Sequence, residues 1–210
     1  MPRPLRLILP DVAVHLRQRG NNRAVCFRRD SDYVLYLLHL RELSSRHQCV
    51  VHAYCLMTNH VHLLLSPPSA ESCQALMKQL GQRYAQHFNR TYGRTGPLWD
   101  GRYRSSVATT RRYVLGCYRY IELNPVDAGM VNHPARYTWS SYRANAMGID
   151  DRLVVPHAEF LALGLDAMSQ RHAYAAMFEE ALDRSLVDEI RASTRGGYPM
   201  GSDPRKKIGV

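Results

Sequence analysis

The chain has 210 residues, 45% hydrophobic and 22% charged, which is ordinary for a globular protein and enough for one well-buried core. Its 28 Lys and Arg against 18 Asp and Glu give a formal net charge of +10, nearly all of it arginine, since the only lysines are Lys78, Lys206 and Lys207. Planar guanidinium forks suit phosphate, so the composition points to a polyanion, nucleic acid first, as partner, against the plainer reading of a basic face kept for solubility.

Other features narrow the setting. No apolar run approaches the roughly 18 residues of a membrane span, and Met1-Pro2-Arg3-Pro4-Leu5-Arg6 lacks the apolar core of a signal peptide. The five cysteines (Cys26, Cys49, Cys55, Cys73, Cys117) show no Cys-x-x-Cys pair and no zinc-finger spacing. Cys49, Cys55 and Cys117 sit in apolar runs as packed thiols, and an odd count fits a reducing compartment. The expectation is cytoplasmic.

Val12 to Arg19 partly alternates and ends at Gly20-Asn21-Asn22, a strand followed by a turn. Asp30 to His47 carries Tyr33, Val34, Leu37, Leu38, Leu40 and Leu43 at helical spacing, with Asp30 or Ser31 as N-cap. Cys49 to Met57 reads as a second strand, and Thr58-Asn59 turns it into a third in a tight hairpin. Ser69 or Ser72 caps a long helix running through Leu76, Leu80, Tyr84 and Phe88 to Tyr92-Gly93. A loop through Trp99 to Arg104 leads to a fourth strand around Ser105 to Thr109. Thr110 to Leu123 is helical and is expected to stop at Asn124-Pro125.

Strand, helix, strand, strand, helix, strand and a further helix make an α+β, ferredoxin-like βαββαβ arrangement, a small antiparallel sheet with helices on one face. The predicted organisation is a first domain over 1–144 and a helical extension over 145–195, with helices around His157 to Leu163, Gln170 to Leu186 and Val187 to Arg195. A basic, flexible tail over 196–210 would follow.

The third strand carries the first chemical signal. His60 and His62 bracket Val61, ahead of Leu63-Leu64-Leu65 and the stop at Ser66-Pro67-Pro68. Alternate strand residues share a face, so the two imidazoles start roughly 6–7 Å apart and can converge on one cation. The competing reading is two strand-end histidines satisfied by backbone carbonyls. Tyr120 and Asn124 stand four apart on the last helix of the first domain, hence on one face. A phenol and a carboxamide so placed can serve a substrate and a hard metal; equally, they can be a core tyrosine and the residue ending a helix.

Four blocks then occur in one order: Arg19-Gly20-Asn21-Asn22-Arg23; Asn59-His60-Val61-His62-Leu63-Leu64; Arg94-Thr95-Gly96 with Leu98-Trp99-Asp100-Gly101-Arg102-Tyr103; and Tyr120-Ile121-Glu122-Leu123-Asn124-Pro125-Val126. Over roughly residues 3–145 the chain closely resembles the REP-associated tyrosine transposases, single-strand transposases with a histidine-hydrophobic-histidine motif. The resemblance implies a metal-dependent endonuclease and strand transferase with His60, His62 and Asn124 as metal ligands and Tyr120 as nucleophile. It further implies a 5′-phosphotyrosine link and a free 3′-hydroxyl beside a DNA hairpin formed by a repetitive extragenic palindrome. Asn124 stands where related transposases often carry the longer glutamine.

A free phenol ionises with a pKa near 10, about one molecule in a thousand at neutral pH, so a cation on the scissile phosphate would compensate for a weak nucleophile. Mixed nitrogen and oxygen ligands without thiolate favour Mg²⁺ or Mn²⁺. Tyr113 is the second tyrosine on the same helix face, and His15 reads as a packed or DNA-facing neighbour. Glu122 reads as solvated. Arg17, Arg19, Arg23, Arg102, Arg104, Arg111 and Arg112, interleaved with Trp99 and Tyr103, suit phosphate contacts and stacking on unpaired bases. Oligomeric state is open, with a lean to monomer. A non-catalytic hairpin-binding regulator is the main alternative; a two-histidine phosphoesterase is disfavoured because only one histidine motif is present.

Overall fold

A computed structural model of the chain describes residues 6–202. Four strands, β1 (Val14–Arg19), β2 (Val50–Met57), β3 (His60–Ser66) and β4 (Arg104–Val107), form one antiparallel sheet in the order β2-β3-β1-β4. This is the strand order of a ferredoxin-like unit, and the histidine strand is central. Lys206 and Lys207 of the expected basic tail lie outside the described residues.

Alternation along the strands divides the molecule. Val61, Leu63 and Leu65 of β3, with Val14 and Leu16 of β1, pack on α1 (Asp30–Arg46) and α2 (Ala70–Thr91). Leu63, Leu64 and Leu65 are fully buried, each worth about 1.5–3 kcal/mol of apolar transfer. The opposite face is covered by α3 (Arg111–Asp127) and later by α7 (Arg184–Gly196), which meet Ala53, Cys55, Met57 and Leu64, so helices lie on both faces and not on one. These two helices come close: a Cβ on Gly116 would lie 2.9 Å from Leu186 Cδ2.

Three local expectations are corrected. The N-cap of α1 is Arg29, and the Asp32 carboxylate accepts from the Arg28 and Arg29 amides at 2.8 and 3.1 Å. Helix α3 runs through Pro125 to Asp127. Proline removes the amide that would bond Ile121 O, and the Asn124 side chain takes over by donating Nδ2 to Tyr120 O at 2.6 Å and Ile121 O at 3.4 Å. Finally, the stretch expected to be helical from Gln170 to Leu186 is broken. Helix α6 ends at Ala176, and Leu186 belongs to α7.

The remaining helices, α4 (Tyr142–Met147), α5 (Ala158–Leu161) and α6 (Ala167–Ala176), pack Tyr174 and Phe160 against Tyr118 of α3. Beyond α7 the described chain is anchored: Met200 is buried and its amide donates to Val107 O at 3.1 Å. All five cysteines are free and buried. No helix among the described residues is long and apolar enough to cross a membrane.

Candidate active site

The face of β1 and β3 turned toward α3 carries the polar row. In register, Arg17 lies beside His62 and Arg19 beside His60, while Arg104 of β4 flanks Arg17 on its other side. A glycine secures the end of this row. A Cβ on Gly20 would sit 2.2 Å from Ala24 O, and the Gly20 amide donates to Asn59 O at 2.8 Å, tying the first turn to the hairpin.

Asn59 in turn sets the state of His60. Its Nδ2 donates to Arg23 O at 3.2 Å, which directs Oδ1 onto His60 Nδ1 at 2.6 Å. His60 therefore carries its proton on Nδ1 and leaves Nε2 bare. On the neighbouring position, His62 Nδ1 lies 2.7 Å from His15 Nε2, and His15 Nδ1 lies 2.9 Å from Thr194 Oγ1 of α7. Burial first, with Arg17 adding to it, lowers His15 to about 3 and His60 to about 4, and burial takes His62 well below the ordinary imidazole value. The Asn124 side chain beside it opposes the fall at His60. All three rings are neutral near pH 7.

Tyr120 comes to the same place from the other side. Its ring centroid is 5.5 Å from that of His62 and 5.7 Å from that of His15, both edge-on, and it is 7% exposed. Tyr120, Asn124, His60 and His62 line one cavity of about 450 Å³. Because Asn124 Nδ2 is committed to the helix backbone, its oxygen is the end left for a ligand. No group of three His, Cys, Asp or Glu side chains among the described residues could by itself hold a metal ion. A cation here would have two imidazole nitrogens and one amide oxygen, a donor set that suits a hard or borderline ion and leaves positions for phosphate oxygens.

The arginines divide. Arg17, Arg19, Arg102 and Arg104 line the cavity, and Arg17 Nε is buried without a hydrogen-bond partner. Arg19 is partly neutralised by Asp100 at 2.7 Å. Arg23, Arg111 and Arg112 are not part of the lining. Arg112 instead faces Asp183 at 3.9 Å and Glu189 at 3.7 Å, clamping α7 to the start of α3. Trp99 and Tyr103 do not line this cavity. The Trp99 Nε1 donates to Gly81 O at 3.0 Å, the Arg6 guanidinium lies 4.0 Å over the Tyr103 ring, and both side chains are buried. Tyr113 is turned away, donating to Glu189 at 2.7 Å.

Glu122 is also corrected. It is fully buried and accepts from Ser141 Oγ at 2.6 Å, Asn145 Nδ2 at 2.8 Å and Tyr174 OH at 2.6 Å, with burial raising its pKa to about 7. Sequence reasoning missed Asp100, Arg191, Thr194 and Arg195, which complete the cavity wall. The only signal among them was Arg191 and Arg195 at i, i+4 on an amphipathic helix.

A family model described as "Transposase IS200 like" matches residues 9–124. Among solved structures, a REP-associated tyrosine transposase bound to a REP hairpin superposes with a TM-score of 0.56 at 15% identity, covering 75% of this chain and 93% of that one. A bacterial tRNA(His) guanylyltransferase-like protein in complex with GTP gives 0.39 at 12% identity, covering 63% and 74%. No curated protein matches the chain.

Proposed function

Since the chain belongs to the family of IS200-like transposases, we propose that it is a tyrosine transposase that cuts and rejoins single-stranded DNA beside a hairpin, with Tyr120 as nucleophile. The observation that carries this reading is the meeting of the Tyr120 ring with the bare-Nε2 imidazole of His60, with His62 and with the arginine-lined wall in one cavity.

In the proposed step the Tyr120 oxygen attacks the phosphorus of a phosphodiester as the phenol loses its proton. The bond to the 3′-oxygen breaks, and that oxygen leaves as a protonated 3′-hydroxyl. The product is a 5′-phosphotyrosine, which keeps a phosphoester available for rejoining without a nucleotide cofactor. Arg17 and Arg104, adjacent in register, would hold the nonbridging oxygens and the neighbouring phosphate. His60, His62 and Asn124 would hold a divalent ion, Mg²⁺ or Mn²⁺, whose contribution is to draw charge from the phosphate oxygens. For His62 to offer Nε2, its Nδ1 must donate to His15 Nε2 and His15 Nδ1 to Thr194, one of the two proton arrangements that satisfy this chain of contacts.

Incubating the protein with labelled hairpin oligonucleotides and Mn²⁺ tests the proposal: a covalent adduct is expected, and Tyr120→Phe should abolish it. An adduct that survives Tyr120→Phe would falsify the assignment of the nucleophile. The 7% exposure of Tyr120 favours one rival, a hairpin-binding regulator that does no chemistry. Tight binding by the wild type with no adduct across related hairpins would establish that rival.

A further inference from the structure

On the other face of the sheet, α2 and the loop before β4 leave a second cavity, of about 460 Å³. We propose that it receives one unpaired nucleobase of the bound strand, read by Gln18; this rests on single-stranded DNA being the substrate.

Gln18 is the carrying observation. It is 7% exposed, it lines this cavity, and its Oε1 is buried without a hydrogen-bond partner. A buried acceptor left unsatisfied is uncommon and points to a missing donor. The cavity around it has a mixed lining, with an apolar part beside Gln18. Met77, Trp99 and Tyr103 provide its walls, and Gly81 supplies the opening on α2. A Cβ at Gly81 would already stand 3.4 Å from Gln18 Nε2 and 3.6 Å from Trp99 Nε1, so any longer side chain there would fill the space. The volume lies within the range of small-ligand pockets.

The rim fits the polyanion to which the base belongs. Arg6, Lys78 and Arg102 border the opening. Arg102 is exposed and also lines the catalytic cavity, while Gln18 stands between Arg17 and Arg19, which point into that cavity from the opposite face of β1. A strand whose phosphates follow these arginines around the turn at Asp100 to Arg102 can place one base into the second cavity. The amide of Gln18 presents an acceptor beside a donor, the complement of the N6 and N7 edge of adenine.

The test uses the full chain and hairpin oligonucleotides with a short single-stranded extension, each extension nucleotide replaced in turn by an abasic site. Affinity is read by fluorescence anisotropy without divalent cation. One position is expected to lose about tenfold or more on becoming abasic. Gln18→Met should bind the intact strand about tenfold more weakly and no longer register that abasic site, while melting at the same or a higher temperature, because the unpartnered acceptor is gone. Gly81→Leu should behave alike by filling the cavity. An unchanged abasic profile in Gln18→Met, or a flat profile in the wild type, overturns the proposal. Adduct formation with a flat profile removes the base pocket alone. A retained abasic penalty without any Tyr120 adduct removes the cleavage reading alone.

Discussion

His15 Nε2 stands 2.7 Å from His62 Nδ1, and the two rings are nearly parallel, with centroids 5.0 Å apart. Outer partners of this kind fix the tautomer of a ligating imidazole and typically affect metal affinity by about 10–100-fold. His15→Phe keeps the volume and removes the acceptor. We expect Mn²⁺ affinity, measured by calorimetric titration, to fall by about that factor, while hairpin binding without metal is preserved. Unchanged Mn²⁺ affinity would show that the cation does not use His62 Nε2.

Arg17 and Arg112 provide a matched contrast. Arg17 enters the cavity with an unpartnered Nε, whereas Arg112 faces Asp183 and Glu189. Arg17→Ala should weaken DNA binding and lower the slope of log affinity against log salt by about one. Arg112→Ala should leave that slope unaltered. Equal slope changes in the two variants would return Arg112 to the DNA surface.

Glu122 joins α3 to Ser141, Asn145 and Tyr174 through three hydrogen bonds in a fully buried setting. Glu122→Ala should cost about 3–5 kcal/mol in urea unfolding, because three donors lose their acceptor together. A loss below about 1 kcal/mol would mean that the neighbouring helices repack freely.

Acid should unfold the protein early. Burial, as the leading cause, holds His15 at about 3 and both His52 and His60 at about 4, below the unfolded value of 6.5. Between those values the unfolded state binds more protons, so stability is full above pH 6.5 and falls as pH drops toward 4. Glu122, raised to about 7, has the opposite sign, but one carboxyl is outnumbered by three rings. Urea midpoints at pH 7.5, 6 and 5 should therefore descend steeply below pH 6; a flat profile would contradict neutral burial of these histidines.

Periodicity made the strands and helices legible, and His60 with His62 and Tyr120 with Asn124 as two same-face pairs, because alternation and an i, i+4 pair are local facts; that the two pairs belong together was implied by the resemblance of four sequence blocks to a known family. What escaped depends on distant partners. Pro125 reads as a stop until the Asn124 side-chain amide is seen donating to Ile121 O, the carbonyl the proline leaves without an amide, and to Tyr120 O beside it. Glu122 reads as solvated until three donors from later helices surround it. Trp99 and Arg112 share the composition of a DNA surface, yet Gly81 O takes the indole N–H and two acidic residues take the guanidinium. Thr194 lies 179 residues beyond the His15 it touches, and Arg191 lies in a separate helix from the Tyr120 ring it overlies, so no local pattern connects either to its partner.

Among the described residues, later segments border both edges of the sheet. Outside β4, Met200 N donates to Val107 O and Ser106 Oγ to Tyr198 O; outside β2, Leu56 N donates to Trp139 O, Ser141 N to Tyr54 O and Val155 N to Val51 O. Strand-by-strand fusion of two molecules, whether into a continuous sheet or a fibril, would first require peeling away one of these bordering segments. Peeling at β4 would also tug on α7, and with it on the threonine that touches His15, so joining there and keeping His15 seated against His62 are mutually opposed.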